Sequence, residues 1–108
     1  MTVLYHPDVP RNIRRFAAEY RRISEGLAAR FRTEVDAALE AVKLAPQAAG
    51  HFLHTGTRVV TAFRRRNLRA FPLFVLHAIA DDRLFFGALM PSRSDPLTWL
   101  TRFVPGNR

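Results

Sequence analysis

Two apolar runs split by a pair of aspartates constrain this chain more than any other feature. Leu73 to Ala80 (LFVLHAIA) is apolar apart from His77, Asp81-Asp82 interrupts it, and Leu84 to Met90 (LFFGALM) resumes it. Runs of this length, rich in Phe, Val, Ile and Leu and bounded by turn residues, read as buried strands and are short for helices. Asp81-Asp82-Arg83 suits the few-residue connection of a hairpin. Upstream, Phe63-Arg64-Arg65-Arg66 leads into a turn region that closes at Phe71-Pro72. Residues 64–90 are therefore expected to form a three-stranded antiparallel meander with the Phe71–Ala80 strand in the middle. Period-two alternation places His77 with Leu73, Val75 and Ile79. That is the position of a core or rim histidine.

The flanking segments supply elements to cover this sheet. Thr2 to His6 is a short β-prone piece expected to join the meander. Asp8 suits an N-cap, with Pro10 in the first turn. Val9, Ile13, Phe16, Ala17, Tyr20 and Ile23 then recur at three- and four-residue spacings, with arginines between them, as in an amphipathic helix. Ser24-Glu25-Gly26 breaks the pattern and Ser24 can cap the next helix. Leu27, Phe31, Val35, Ala38, Leu39 and Val42 form its stripe, and Ala45-Pro46 ends it. The two helices make an antiparallel hairpin on one face of the sheet, with Phe16, Phe31, Val35, Leu39 and Phe74 expected in a common core. Residues 46–60 show no clean period and read as a loop, with a short extended piece near Thr57–Ala62. Asp95-Pro96 suits the start of a short last helix burying Leu97, Leu100 and Val104, stopped by Pro105-Gly106. At 108 residues this is one α+β domain, spanning 1–108.

Charge narrows the function classes. The net charge is +8, and 16 of the 17 basic residues are arginine, the exception being Lys43. Residues 1–50 carry 8 basic and 6 acidic side chains, whereas 51–108 carry 9 and 3, so the excess is +2 against +6. An anionic partner is favoured: nucleic acid, a nucleic-acid-bound complex or an acidic protein segment. The arginine-rich stretch Arg64–Arg69 divides by alternation, Arg64 and Arg66 on one side, Arg65 and Arg69 on the other. It reads either as charge protecting an edge strand or as a patch to which Arg58, Arg93 and Arg102 add, with Trp99 nearby. Without cysteine there is no thiolate metal site or disulfide, and a reducing cytoplasm is the default. No apolar stretch approaches the roughly 20 residues of a membrane span, and no signal-peptide layout is seen. His51 and His54 lack the supporting ligands of a zinc site. The glycines match no nucleotide-binding loop, so no cofactor is expected.

In their order along the chain, several residues carry a family resemblance. They are His6-Pro7 after the first strand, LAARFRTEVDAALEAVKLAP in the second helix, Leu68 and Phe71-Pro72, Leu73–Ile79, Asp81-Asp82, and Ala88 with Arg93-Ser94-Asp95-Pro96, Trp99 and Arg102. The chain resembles the RelE/ParE toxins of bacterial toxin–antitoxin pairs. The resemblance implies a twisted antiparallel sheet built from the meander plus the first strand, carrying a helical hairpin and a short C-terminal helix. It also implies an antitoxin partner with an acidic, disordered tail. RelE-like members cut messenger RNA on the ribosome with basic residues plus Tyr, His or Glu. Here Tyr5 and Tyr20 are both far upstream, and Pro91-Ser92-Arg93 supplies no acid or base where one is expected. The ParE-like activity is therefore implied: growth inhibition through binding of DNA gyrase, without catalysis. An endoribonuclease, or a member that only binds antitoxin, are the alternatives. Candidate target-binding residues are Arg65, Arg69, Arg93, Trp99 and Arg102, and candidate antitoxin-binding residues are Arg64, Arg66 and Arg58.

Overall fold

The computed structural model describes residues 1–47, 51–54 and 62–94, with the backbone alone at 51–54 and 62. Strand β1 (Thr2–Tyr5) leads into helices α1 (Asp8–Arg21) and α2 (Glu25–Leu44), followed by β2 (His51–His54), β3 (Ala62–Asn67), β4 (Leu73–Ala80) and β5 (Arg83–Pro91). The sheet order is β1-β5-β4-β3-β2. The α+β architecture, the helical hairpin and the β3–β4–β5 meander match the sequence expectation. The expected last helix lies outside the described residues.

Local chemistry accounts for the helix ends. Ser24 has extended backbone and its hydroxyl accepts the Leu27 N–H at 3.0 Å, closing the first turn of α2. The start of α1 differs from the expected aspartate cap. Asp8 is inside the helix, and it is the Nδ1 of His6 that accepts the Asp8 N–H, at 3.0 Å. The Asp8 carboxylate instead sits in the first turn, where a negative charge complements the helix dipole, and pairs with Arg11 at 3.5 Å. The β4–β5 turn places both Asp81 (φ 50°) and Asp82 (φ 60°) in the left-handed region. Two consecutive positive φ values make the tight two-residue hairpin turn that matches the twist of the strands.

Three features of the sheet depart from expectation. First, β1 runs parallel to β5, Thr2 opposite Arg83 and Tyr5 opposite Phe86, so the sheet is mixed. A parallel neighbour needs a long crossover, and the helical hairpin provides part of it. Second, β2 pairs with β3 from His51–Arg65 to His54–Ala62. The arginine-rich β3 is therefore an interior strand hydrogen-bonded on both sides, and its charge does not protect an edge. Third, Leu76 pairs with Ala88 but His77 pairs with Phe86, leaving Gly87 as an extra residue on β5. Such a bulge switches the side-chain parity of its strand. Leu84 and Phe86 before it, and Leu89 after it, all lie on the helix side.

The centre of the sheet, β4 and most of β5, is buried on both faces, which is why β4 reads as a continuous apolar run rather than an alternating one. On the helix side, Val9, Ile13 and Phe16 of α1 and Phe31, Val35, Ala38 and Val42 of α2 pack on Leu73, Val75, Leu84, Phe86 and Leu89, with Leu39 partly buried beside them. On the other side, Phe63, Phe74, Leu76, Ala78, Ala88 and Met90 form a second cluster. Phe74 belongs to that cluster and not to the helix-side core, as alternation from Leu73 requires. Beyond Phe86, where β1 pairing ends, the Leu89 N–H donates to Asn12 Oδ1 at 3.3 Å, so α1 satisfies a strand group that β1 cannot reach.

Candidate functional site

The arginines singled out from the sequence separate into three environments. Arg64 and Arg66 pair with His77 and Val75 on β4, both of which belong to the helix side, and both arginines are half-buried. Arg65 pairs with Leu76 and faces the other way. Its guanidinium lies 3.9 Å above the centroid of the Phe74 ring, while its Nε and Nη2 donate to Asn67 Oδ1 at 3.3 and 3.1 Å. Stacking plus two hydrogen bonds hold this cation in one orientation. The expected alternation of these three residues is thus observed.

Arg69 does not continue the strand. It is exposed in the connection between β3 and β4, where its backbone N–H and that of Ala70 both donate to the carboxylate of Glu34 on α2. Arg93 is exposed in the turn after β5. Leu73 faces Pro91 across the ladder and the Ser92 N–H donates to Pro72 O at 2.9 Å, so both connections lie at the same end of the sheet. The structure therefore brings the Arg69 and Arg93 segments together and leaves Arg65 on a sheet face. Trp99, Arg102 and Arg58 lie outside the described residues, as do the side chains of His51 and His54.

Acid–base chemistry finds little support among the described residues. His77 is completely buried on the helix side, its Nε2 lying 3.3 Å from Pro46 O just beyond α2. A carbonyl only accepts, so Nε2 carries the proton, and Nδ1 is left with no hydrogen-bond partner. Burial, helped by the neighbouring charges of Arg64 and Arg66, pushes its pKa down to about 4, so the ring is neutral at pH 7. Both tyrosine rings make aromatic contacts. Tyr5 stacks on Phe86 with centroids 5.0 Å apart, and Tyr20 packs between Phe31 and Phe71 at 5.1 and 4.9 Å. Burial, and then the charge of Glu19, raise the pKa of Tyr20. The described residues hold no group of three or more His, Asp or Glu arranged for a metal ion, and none of their helices is long and apolar enough to cross a membrane.

The arginines expected between the apolar positions of the first helix, Arg11, Arg14, Arg15, Arg21 and Arg22, are exposed on α1 and give the helical hairpin a basic outer face. Between α1 and α2 runs a groove of about 550 Å³ floored by Ala17, Ala28 and Ala29 and edged by Arg14, Arg21 and Arg32. Arg21 and Arg32 are paired with Glu25 and Asp36, both at 3.3 Å. Across α2, two adjoining hollows of about 530 and 330 Å³ lie on either side of Glu34. The helical periodicity that located the apolar stripe also predicts which alanines lie outside it. Nothing local predicts that the Arg69 connection comes to rest against them.

No protein-family model and no curated protein matches the sequence. Among solved structures, the fold is similar to that of a chain described as "Chromosomal ParDE TA system from P. aeruginosa". The match covers 84% of this chain and 95% of that one, with a TM-score of 0.57 and 16% identity. At that identity the likeness is one of fold.

Proposed function

We propose that this chain is the toxin of a toxin–antitoxin pair, ParE-like, which arrests growth by binding DNA gyrase and is neutralised by a cognate antitoxin. The observation that carries the reading is the fold likeness over most of both chains to a component of a ParDE system. The site chemistry supports binding over catalysis. Cleavage through a 2′-hydroxyl calls for a base, an acid and cations around the scissile phosphate. The described residues supply the cations, Arg65, Arg69 and Arg93, whereas His77 is sealed inside the core and the Tyr20 ring is packed against Phe31 and Phe71. In this reading Arg69 and Arg93, at one end of the sheet, contact the target together with Arg65, Trp99 and Arg102. Arg64, Arg66 and Arg58 attract an acidic antitoxin tail that folds as it binds. The decisive comparison adds the purified chain to a gyrase supercoiling reaction and to a translating extract. Loss of supercoiling with translation intact is expected. Defined cuts in ribosome-bound message that disappear in His51→Ala or His54→Ala would instead establish the endoribonuclease.

A further inference from the structure

The arginines of α1 follow a regular spiral. Arg14 and Arg21 are seven residues apart, as are Arg15 and Arg22 and, between them, Arg11 and Ala18. At about 3.6 residues per turn, the members of each pair lie nearly in line along the axis, about 10 Å apart. The core-facing line holds Val9, Ile13 and Phe16, all buried. Arg11 and Ala18 therefore form the crest opposite, with an arginine pair on each flank about 50° to either side. All six residues are exposed. Arg22 is the C-cap and keeps helical backbone (φ −62°, ψ −24°), so the spiral holds to its end. The Arg15 guanidinium lies 4.7 Å from the centroid of the Phe16 ring, which steadies it on its flank. Arg14, Arg15 and Arg22 are in no ion pair among the described residues, whereas Arg11 pairs with Asp8 and Arg21 with Glu25. The two acids of α1, Asp8 and Glu19, fall beyond the Arg15–Arg22 flank and not between the flanks.

We infer that the outer face of α1 binds double-stranded DNA without regard to sequence, its crest in the major groove and its arginine flanks on the phosphates of the two strands. A helix with its side chains is about 10–12 Å across and the B-form major groove about 12 Å wide, so a strand lies along each flank. The small side chain of Ala18 on the crest lets the axis approach. The flank guanidinium groups contact phosphate, which fixes position without reading bases. The exposed ion pair of Arg21 with Glu25 is weak enough to exchange for a phosphate. Other polyanions fit less well. A single strand wants exposed rings to stack on, but on this helix Phe16 is buried and Tyr20 is packed between Phe31 and Phe71. A lipid surface takes up the apolar face of a helix, and that face of α1 is already in the core. Duplex RNA has a major groove too deep and narrow to be entered. The inference is independent of the toxin reading and concerns the side of the sheet opposite Arg65.

The probe is a fluorescein-labelled DNA duplex of about 20 base pairs and arbitrary sequence, titrated with the full chain and read by fluorescence anisotropy. Micromolar binding is expected at about 50 mM salt, with a slope of log affinity against log salt of about −3 to −4, as four phosphate contacts require. R14E and R15E, one from each flank, should each weaken binding about fivefold, and R14E/R15E about twentyfold or more. R30E/R83E makes the same change of charge at exposed positions off α1 and should cost less than about threefold. The same sequence as duplex RNA, or as a single DNA strand, should bind at least about fivefold more weakly. Equal effects of R14E/R15E and R30E/R83E would reduce the binding to diffuse attraction and overturn the assignment. An effect confined to one flank, or RNA duplex or single strand bound as tightly as the DNA duplex, would overturn it too. Circular dichroism checks each variant, and R14Q/R15Q, which removes charge without reversing it, decides the matter should a reversal unfold the chain.

Discussion

The Nε2 of His77 in β4 meets the carbonyl of Pro46, 31 residues away, at 3.3 Å, and this contact ties the end of α2 to the middle of the sheet. The ring is fully buried with Phe86 6.2 Å away between centroids, and the positive charges of Arg64 and Arg66 oppose its protonation.

That environment predicts acid lability with a defined sign. Unfolded, His77 takes up its proton near pH 6.5; folded, near pH 4. Between those values the unfolded chain binds more protons, so stability is full above about pH 6.5 and is lost as the pH falls towards 4. The total loss from this group is about 3 kcal/mol. Urea unfolding across that range should show a slope that His77→Leu flattens; equal slopes in both proteins would refute the assignment.

Phe31 on α2 is fully buried, its ring 5.1 Å from that of Tyr20 and 5.4 Å from that of Phe71. Phe31→Ala removes α2's ring from the aromatic group it forms with Tyr20 of α1 and Phe71 of the β3–β4 connection. A destabilisation of about 3–5 kcal/mol is expected in chemical denaturation. A loss under about 1 kcal/mol would mean that the helices pack elsewhere.

The Asp81-Asp82 turn holds two aspartates at positive φ, a conformation that glycine adopts without steric cost. Asp82→Gly should therefore raise stability by about 0.5–1 kcal/mol, which for a domain of this size is a few degrees in Tm. A lower melting temperature would show that the Asp82 side chain contributes more than its backbone strain costs.

Charge reversal at Arg64 and Arg66 tests the proposed encounter with an acidic antitoxin. Long-range attraction acts mainly on association, and exposed ion pairs add only about 0–1 kcal/mol each to affinity. Stopped-flow mixing across a salt series should show the double variant associating about tenfold more slowly at low salt, with a smaller change in dissociation. An unchanged association rate would leave the two arginines as sheet residues with no part in the encounter.

Much of this fold was legible in the chain because it is written in near neighbours. The three- and four-residue spacing of Phe31, Val35 and Val42, the Ser24 cap and the apolar runs around Asp81-Asp82 each depend on residues a few positions apart. The same logic gave the opposed faces of Arg65 and Arg66. The arginine candidates were legible as a set, but their grouping was not. Arg69 and Arg93 share an end of the sheet only because Leu73 faces Pro91.

The remaining decisions belong to the tertiary structure. Strand direction leaves no local trace, so β1 could be assigned to the sheet but not to a parallel place beside β5. Residues 51–54 have no period to announce a strand, and β2 exists through its ladder with β3. Alternation separates Phe74 from Leu73, but which of them meets the helices depends on where the hairpin lands. Glu34 is an unremarked acid on the outer side of α2 until the chain brings two backbone N–H groups to it. Local periodicity reports what each segment can bury. Direction, face and long-range hydrogen bonds are settled by the free energy of the whole chain closing on itself, a sum over partners that no short window contains.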